Sequence, residues 1–167
     1  MIYQRIGSAF AAAMCIIAFS QADAATTAAW TNAAPATASR AAKKNKGASF
    51  DPKKYLAELS AEGRQRGYKE FAYKQTAEGE LRIYFKMPEG WSENDKRPVM
   101  VFFFGGGWSG GSPFACVREA EHFAKRGVVV GLADYRVRNR QGTMLDKCAE
   151  DARSAVRWVR ANCAKLG

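Results

Sequence analysis

The sequence predicts an α/β fold, a mostly parallel sheet with flanking helices, from three observations. Val99–Phe104 and Val128–Ala133 are short, unbroken apolar runs. Runs of that length without polar alternation fit strands buried on both faces, as parallel strands covered by helices are. Between them, Phe114–Arg126 sets Phe114, Val117, Ala120, Phe123 and Ala124 at helical spacing and stops before Gly127. One helix joining two such strands makes a right-handed βαβ unit, which forces the strands parallel.

The remaining elements follow in chain order. Met1–Ala24 carries Arg5 near its start, an apolar stretch over Ile6–Phe19 and the small-x-small triplet Ala22-Asp23-Ala24, the features of a secretory leader. The stretch falls short of the about 20 apolar residues a permanent membrane helix needs, so no stable membrane anchor is expected, and Met14 before Cys15 argues against a lipid attachment there. Residues 25–49 are rich in Ala and Thr, hold Pro35, Arg40, Lys43, Lys44 and Lys46, and lack bulky apolar residues apart from Trp30; they read as a disordered linker. Residues 50–167 form the folded part. Asp51 is an N-cap and Pro52 a first-turn proline, so a helix runs from Pro52 to about Glu62. Tyr68–Gln75 and Glu80–Met87 read as a hairpin across Thr76–Gly79, and Pro88–Pro98 as a polar surface turn. The last helix, near Met144–Lys165, sets Cys148, Ala149, Ala152, Ala155, Val156, Val159 and Cys163 on one face; the small residues there predict close packing on the sheet.

The formal net charge of +10 is spread along the chain, and no basic run alternates with aromatics, so no nucleic-acid partner is expected. With the leader removed, three cysteines remain, Cys116, Cys148 and Cys163, and an oxidising compartment allows one pair. Cys116 and Cys148 lie near the starts of helices that follow neighbouring strands, which favours a disulfide between them and leaves Cys163 as a buried thiol. There is no CxxC and no His/Cys ligand cluster, so neither a metal nor another cofactor is expected.

Chemistry concentrates in the run RPVMVFFFGGGWSGGS from Arg97 to Ser112. Consecutive glycines at a strand end turn sharply and leave backbone N–H groups bare, and open α/β sheets bind ligands at the carboxyl ends of their strands. A phosphate-cradling loop needs GxxxxGK[ST], which is missing here. A dinucleotide fingerprint is met literally by Gly105, Gly107 and Gly110, yet Gly111, Ser112 and Pro113 delay the helix that should open at once. The third option is an oxyanion-hole loop.

FFFGGGW followed by GGSP, then GVVVGLADYRV, then EDARSAVRWVRANCAKLG, resembles the secreted esterase branch of the α/β-hydrolases, close to carboxylesterases and acetyl xylan esterases. The resemblance covers about Leu81–Gly167 and departs at Phe104, where the HGGG loop usually has His. It implies an incomplete α/β-hydrolase fold, the amino-terminal strands only, in which Val99–Phe104 pairs with Val128–Ala133 on one side and with the nucleophile strand on the other. It also implies donors from Gly106 and Gly107, Gly105 shaping the turn, and Trp108 walling an acyl pocket. The triad, in the order Ser, Asp or Glu, His, falls after Gly167. The expected product is therefore the amino-terminal part of an exported serine esterase, periplasmic or extracellular, inactive alone, with a small ester or acylated carbohydrate as substrate of the complete protein; without the nucleophile strand, Val99–Phe104 would be an exposed apolar edge.

Three residues compete for catalytic roles. Ser109 sits in Gly107-Trp108-Ser109-Gly110-Gly111, which fits the nucleophile pattern GxSxG; an elbow turns directly from strand to helix at its serine, and this segment does not. Asp134 reads as a structural carboxylate tied to Arg136 or Arg138. His122 reads as a helix-face residue that no loop brings to the strand ends. Two other classes stay open: a secreted non-catalytic module that binds an anion or carbohydrate through the glycine loop, and a nucleotide-binding unit.

Overall fold

The computed structural model describes the backbone of Ile16–Phe19 and all of residues 50–167. The linker at 25–49 and the rest of the expected leader lie outside the described residues. The order is β1 (Ile16–Phe19), α1 (Pro52–Gln65), β2 (Lys69–Thr76), β3 (Gly79–Lys86), β4 (Val99–Phe103), α2 (Val117–Ala124), β5 (Val129–Ala133), α3 (Arg138–Gln141) and α4 (Leu145–Ala161).

Asp51 caps α1 by accepting from the N–H groups of Lys53 and Lys54, as its position before Pro52 requires. β2 and β3 form the expected hairpin, bulged between Ala72 and Lys74. β4 and β5 pair in parallel, with Val101 opposite Gly131 and Phe103 opposite Ala133. The sheet is mixed, in the order β2-β3-β5-β4-β1, because the hairpin enters it antiparallel to β5 and β1 lies antiparallel along β4. The β4 edge therefore meets Ile16–Phe19 instead of standing open.

Helices cover both faces. Tyr84 packs on Phe114, and Phe102 on Phe123 of α2, on one side; Phe85 packs on Trp158 of α4 on the other. Gly131, between Ile83 and Phe85, has room for no side chain: a Cβ there would lie 2.8 Å from the Phe85 ring. β5 is buried throughout, as its unbroken apolar sequence demands.

At two helix ends a single side-chain bond moves the boundary from its expected place. Ser112 accepts from the N–H of Phe114 and Pro113 opens a 3-10 turn, so the helix proper starts at Val117 and not at Phe114. At the far end, Asn162 turns its side-chain amide onto the Trp158 carbonyl and α4 stops at Ala161. Cys163 consequently leaves the helix face and is exposed rather than buried.

Candidate functional site: the glycine turn after β4

The chain leaves β4 at Phe104, whose side chain is buried and stacked on Tyr135 with ring centroids 4.2 Å apart. The Tyr135 hydroxyl donates to the Phe104 carbonyl at 2.5 Å. The position where the resemblance would place His is thus an aromatic anchor for the base of the loop. Beyond it, Gly105, Gly106, Gly107 and Trp108 are exposed. Gly106 takes φ +142° and Gly107 +58°, and a Cβ on Gly106 would fall 2.1 Å from the Gly110 carbonyl oxygen; only glycine can occupy that position. Trp108 follows at φ +57°, the one non-glycine residue with positive φ among the described residues, and 53 % of its surface is exposed. The N–H of Ser109 closes the turn on the Gly106 carbonyl at 3.1 Å. With both central residues at positive φ, this is the mirror-image turn that favours glycine.

Among the described residues, the N–H groups of Gly105, Gly106, Gly107 and Trp108 donate to no backbone or side-chain acceptor. The carbonyls of Gly106, Gly107, Trp108 and Ser109, by contrast, are occupied. Arg138 N–H donates to the Trp108 carbonyl at 3.0 Å and Asn139 N–H to that of Ser109 at 2.9 Å. The loop is therefore held by its acceptors from the β5–α4 connection, with its donors left bare.

The fold that holds it is a set of buried charges. Asp134 is 3 % exposed, and burial pushes its carboxyl up from the ordinary carboxylate range; the Arg140 guanidinium lies 2.9 Å from it. Arg140 also donates to the Tyr135 carbonyl and lies over the Tyr55 ring at 4.2 Å. The structural role expected for Asp134 has a different partner from either one expected. Arg136 turns to Asp151, and Arg138 reaches out to the Ser109 hydroxyl at 2.9 Å. Asp151, completely buried, accepts from Arg136 Nε, Arg136 Nη2 and Lys74 Nζ at 2.8 Å each.

Other expected site residues are not gathered. Ser109 bonds Arg138 and Gly107, not His122 or Asp134, and no helix opens at it. His122 lies exposed on α2 against the edge of Phe123. Gly110 leads through Gly111 and Ser112 into the 3-10 turn, so the dinucleotide pattern does not open a helix either. The bridge expected between Cys116 and Cys148 is not formed. Both thiols are free, Cys116 opening α2 on one face and Cys148 on α4 across the sheet, where its Sγ donates to the Arg136 carbonyl at 3.0 Å. Among the described residues no group of three or more His, Cys, Asp or Glu could hold a metal ion, and no helix is long and apolar enough to cross a membrane.

A sequence family, BD-FAE, matches residues 83–167, which contain β4, the glycine turn, β5 and α4. The chain belongs to the BD-FAE family. The same region gives it the fold of an esterase-like α/β-hydrolase. It is similar to a thermophilic esterase from the Planctomycetes species Thermogutta terrifontis, with 43 % identity over 60 % of this chain and 36 % of that one and a TM-score of 0.58. The propionate-bound form matches at 40 % identity over 68 % of this chain and 39 % of that one, TM-score 0.60. A form of that esterase phosphonylated by cyclosarin matches at 42 % identity over 60 % and 38 %, TM-score 0.57. The chain thus spans 36–39 % of the length of these esterases. No curated protein matches it.

Arg138, Asn139 and Tyr135 escaped the sequence reading as supports of the loop. Nothing in their spacing marks them, because the contacts run between the ends of β4 and β5 and depend on the parallel register.

Proposed function

We propose that this chain is the amino-terminal part of an exported serine carboxylic-ester hydrolase and supplies half of its oxyanion hole. The observation that carries the reading is the exposed turn at the carboxyl end of β4, in which Gly106 and Gly107 present N–H groups with no protein acceptor among the described residues. Such amides stabilise a carbonyl oxygen as it gains charge under attack, and the loss of one donor costs about 10²- to 10³-fold in rate. Among the described residues no serine, histidine and carboxylate are gathered together around the turn, and the reading assigns them to further polypeptide, without which this chain should not turn over ester. The propionate-bound and organophosphonylated forms of the Thermogutta terrifontis esterase support a small acyl ester as the substrate class, with acetylated carbohydrate one member of it.

The test is hydrolysis of p-nitrophenyl acetate, together with mapping of a fluorophosphonate label, in this chain and in the polypeptide its gene encodes beyond codon 167. The reading expects no turnover by residues 1–167, and turnover by the longer product with the label on a later GxSxG serine. Turnover by residues 1–167 that disappears in Ser109→Ala would overturn it.

A further inference from the structure

Ser109 fits a nucleophile pattern, yet its surroundings give it a different task. Its N–H donates to the Gly106 carbonyl at 3.1 Å. Its hydroxyl accepts from Arg138 Nη2 at 2.9 Å and donates to the Gly107 carbonyl at 3.3 Å. The direction of that chain of bonds is fixed, because a guanidinium can only donate; the hydroxyl must accept from it and turns its own proton to the carbonyl. One residue thus anchors two successive carbonyls of the turn, one through its backbone and one through its side chain.

In a trans peptide the N–H lies anti to the C=O of the same plane. Anchoring the Gly106 carbonyl toward Ser109 therefore directs the Gly107 N–H away from it, and anchoring the Gly107 carbonyl directs the Trp108 N–H away in turn. Trp108 is at φ +57°, a conformation that strains a side-chain-bearing residue, so this peptide would relax if nothing held it. What holds it is the Ser109 hydroxyl at the Gly107 carbonyl and Arg138 N–H at the Trp108 carbonyl.

We infer that Ser109 is a positioning residue, kept in place by Arg138, and that it sets the Gly107–Trp108 peptide so that the Trp108 N–H joins those of Gly106 and Gly107 as a further outward donor of the turn. The inference deepens the oxyanion-loop reading and rests on it for its purpose, but its geometry can be tested without any esterase activity.

The test measures 15N order parameters and hydrogen exchange in residues 1–167. In the wild type, Gly107 and Trp108 should be as rigid as the strands, near 0.85, and unprotected from exchange. Ser109→Ala should drop Trp108 below about 0.6 while the denaturation midpoint and the strand amides stay unchanged. Ser109→Thr, which keeps the hydroxyl, should restore the wild-type value. Arg138→Met, at an exposed side chain, should give a partial drop and serves if Ser109→Ala misfolds. Unchanged order parameters in Ser109→Ala and Arg138→Met, or failure of Thr to rescue, overturn the inference and leave the esterase reading standing. A fluorophosphonate label on Ser109 overturns both.

Discussion

Removing the Asp151 carboxylate should unfold the support of the loop before it touches the loop itself. Asp151 is completely buried and accepts four hydrogen bonds, from Arg136 Nε and Nη2, from the Arg136 backbone N–H at 3.1 Å and from Lys74. In Asp151→Ala the Arg136 side chain, 7 % exposed, keeps only Glu78 at 3.1 Å and Glu150 at 3.9 Å, both partly in water, and its backbone N–H loses its acceptor. A charge left buried without its partner costs about 3–5 kcal/mol, a large share of the about 5–15 kcal/mol that holds an ordinary domain together. The thermal midpoint should fall on the order of 10 °C. Urea denaturation followed by circular dichroism measures the loss directly. Glu150→Ala is the control: it removes a more exposed partner of the same lysine, 43 % exposed, and should have a far smaller effect. A loss below about 1 kcal/mol for Asp151→Ala, the size of a surface ion pair, would refute the reasoning, because Arg136 would then have to be solvated in a way its burial excludes.

Gly106→Ala should damage the turn with little global cost: its Cβ would meet the Gly110 carbonyl oxygen at 2.1 Å, so the Gly107 and Trp108 amide resonances should move by more than any strand amide, and under the proposed function the longer product should lose about 10²-fold or more in kcat. Glu150 is held down to about 2 by its bonds to Lys74 at 2.6 Å and Lys147 at 3.0 Å; since its folded value lies below the unfolded one, its stabilisation is present above the ordinary carboxylate range and lost as pH falls through about 2, and Glu150→Gln should flatten the acid limb of a stability profile over that window. In Cys163→Ser, the buried thiols of Cys116 and Cys148, which burial pushes up, should react with a thiol reagent only after unfolding, and a reducing agent should leave the denaturation midpoint unchanged; a drop would show a bridge between them.

The framework was legible wherever sequence and structure are tied by local rules. Asp51-Pro52 caps a helix by its own backbone geometry, and the apolar runs at Val99 and Val128 could be stable only as covered strands. Helix ends were less legible, because they are decided by single side-chain bonds. Ser112 captures the Phe114 N–H, and Asn162 captures the Trp158 carbonyl. The charge partners were least legible. Arg136, Arg138 and Arg140 follow Asp134 at equal spacing, and only the turn made by α3 brings Arg140, not its neighbours, over the carboxylate. Position along the chain favours a bridge between Cys116 and Cys148, but the sheet runs between their helices and both thiols are free.

The glycine run shows the same division more sharply, since the seven residues Gly105–Gly111 hold a dinucleotide pattern, a nucleophile pattern and an oxyanion-loop pattern at once. Composition cannot choose among them; backbone angles can. A nucleophile elbow would put the strain at Ser109, but the positive φ values fall on either side of it, at Gly106, Gly107 and Trp108 before and at Gly111 after. A dinucleotide loop would direct its bare amides along a helix axis, but the chain closes on itself through Ser109 N–H and the Gly106 carbonyl instead. Glycine at 106 is imposed by the Gly110 carbonyl oxygen, 2.1 Å from where a Cβ would lie, and the tryptophan at 108 is held by the Ser109 hydroxyl at the Gly107 carbonyl and by Arg138 N–H at its own carbonyl. The serine of the pattern is then best understood as part of the brace that keeps these amides turned outward, which is why it bonds an arginine and not a histidine.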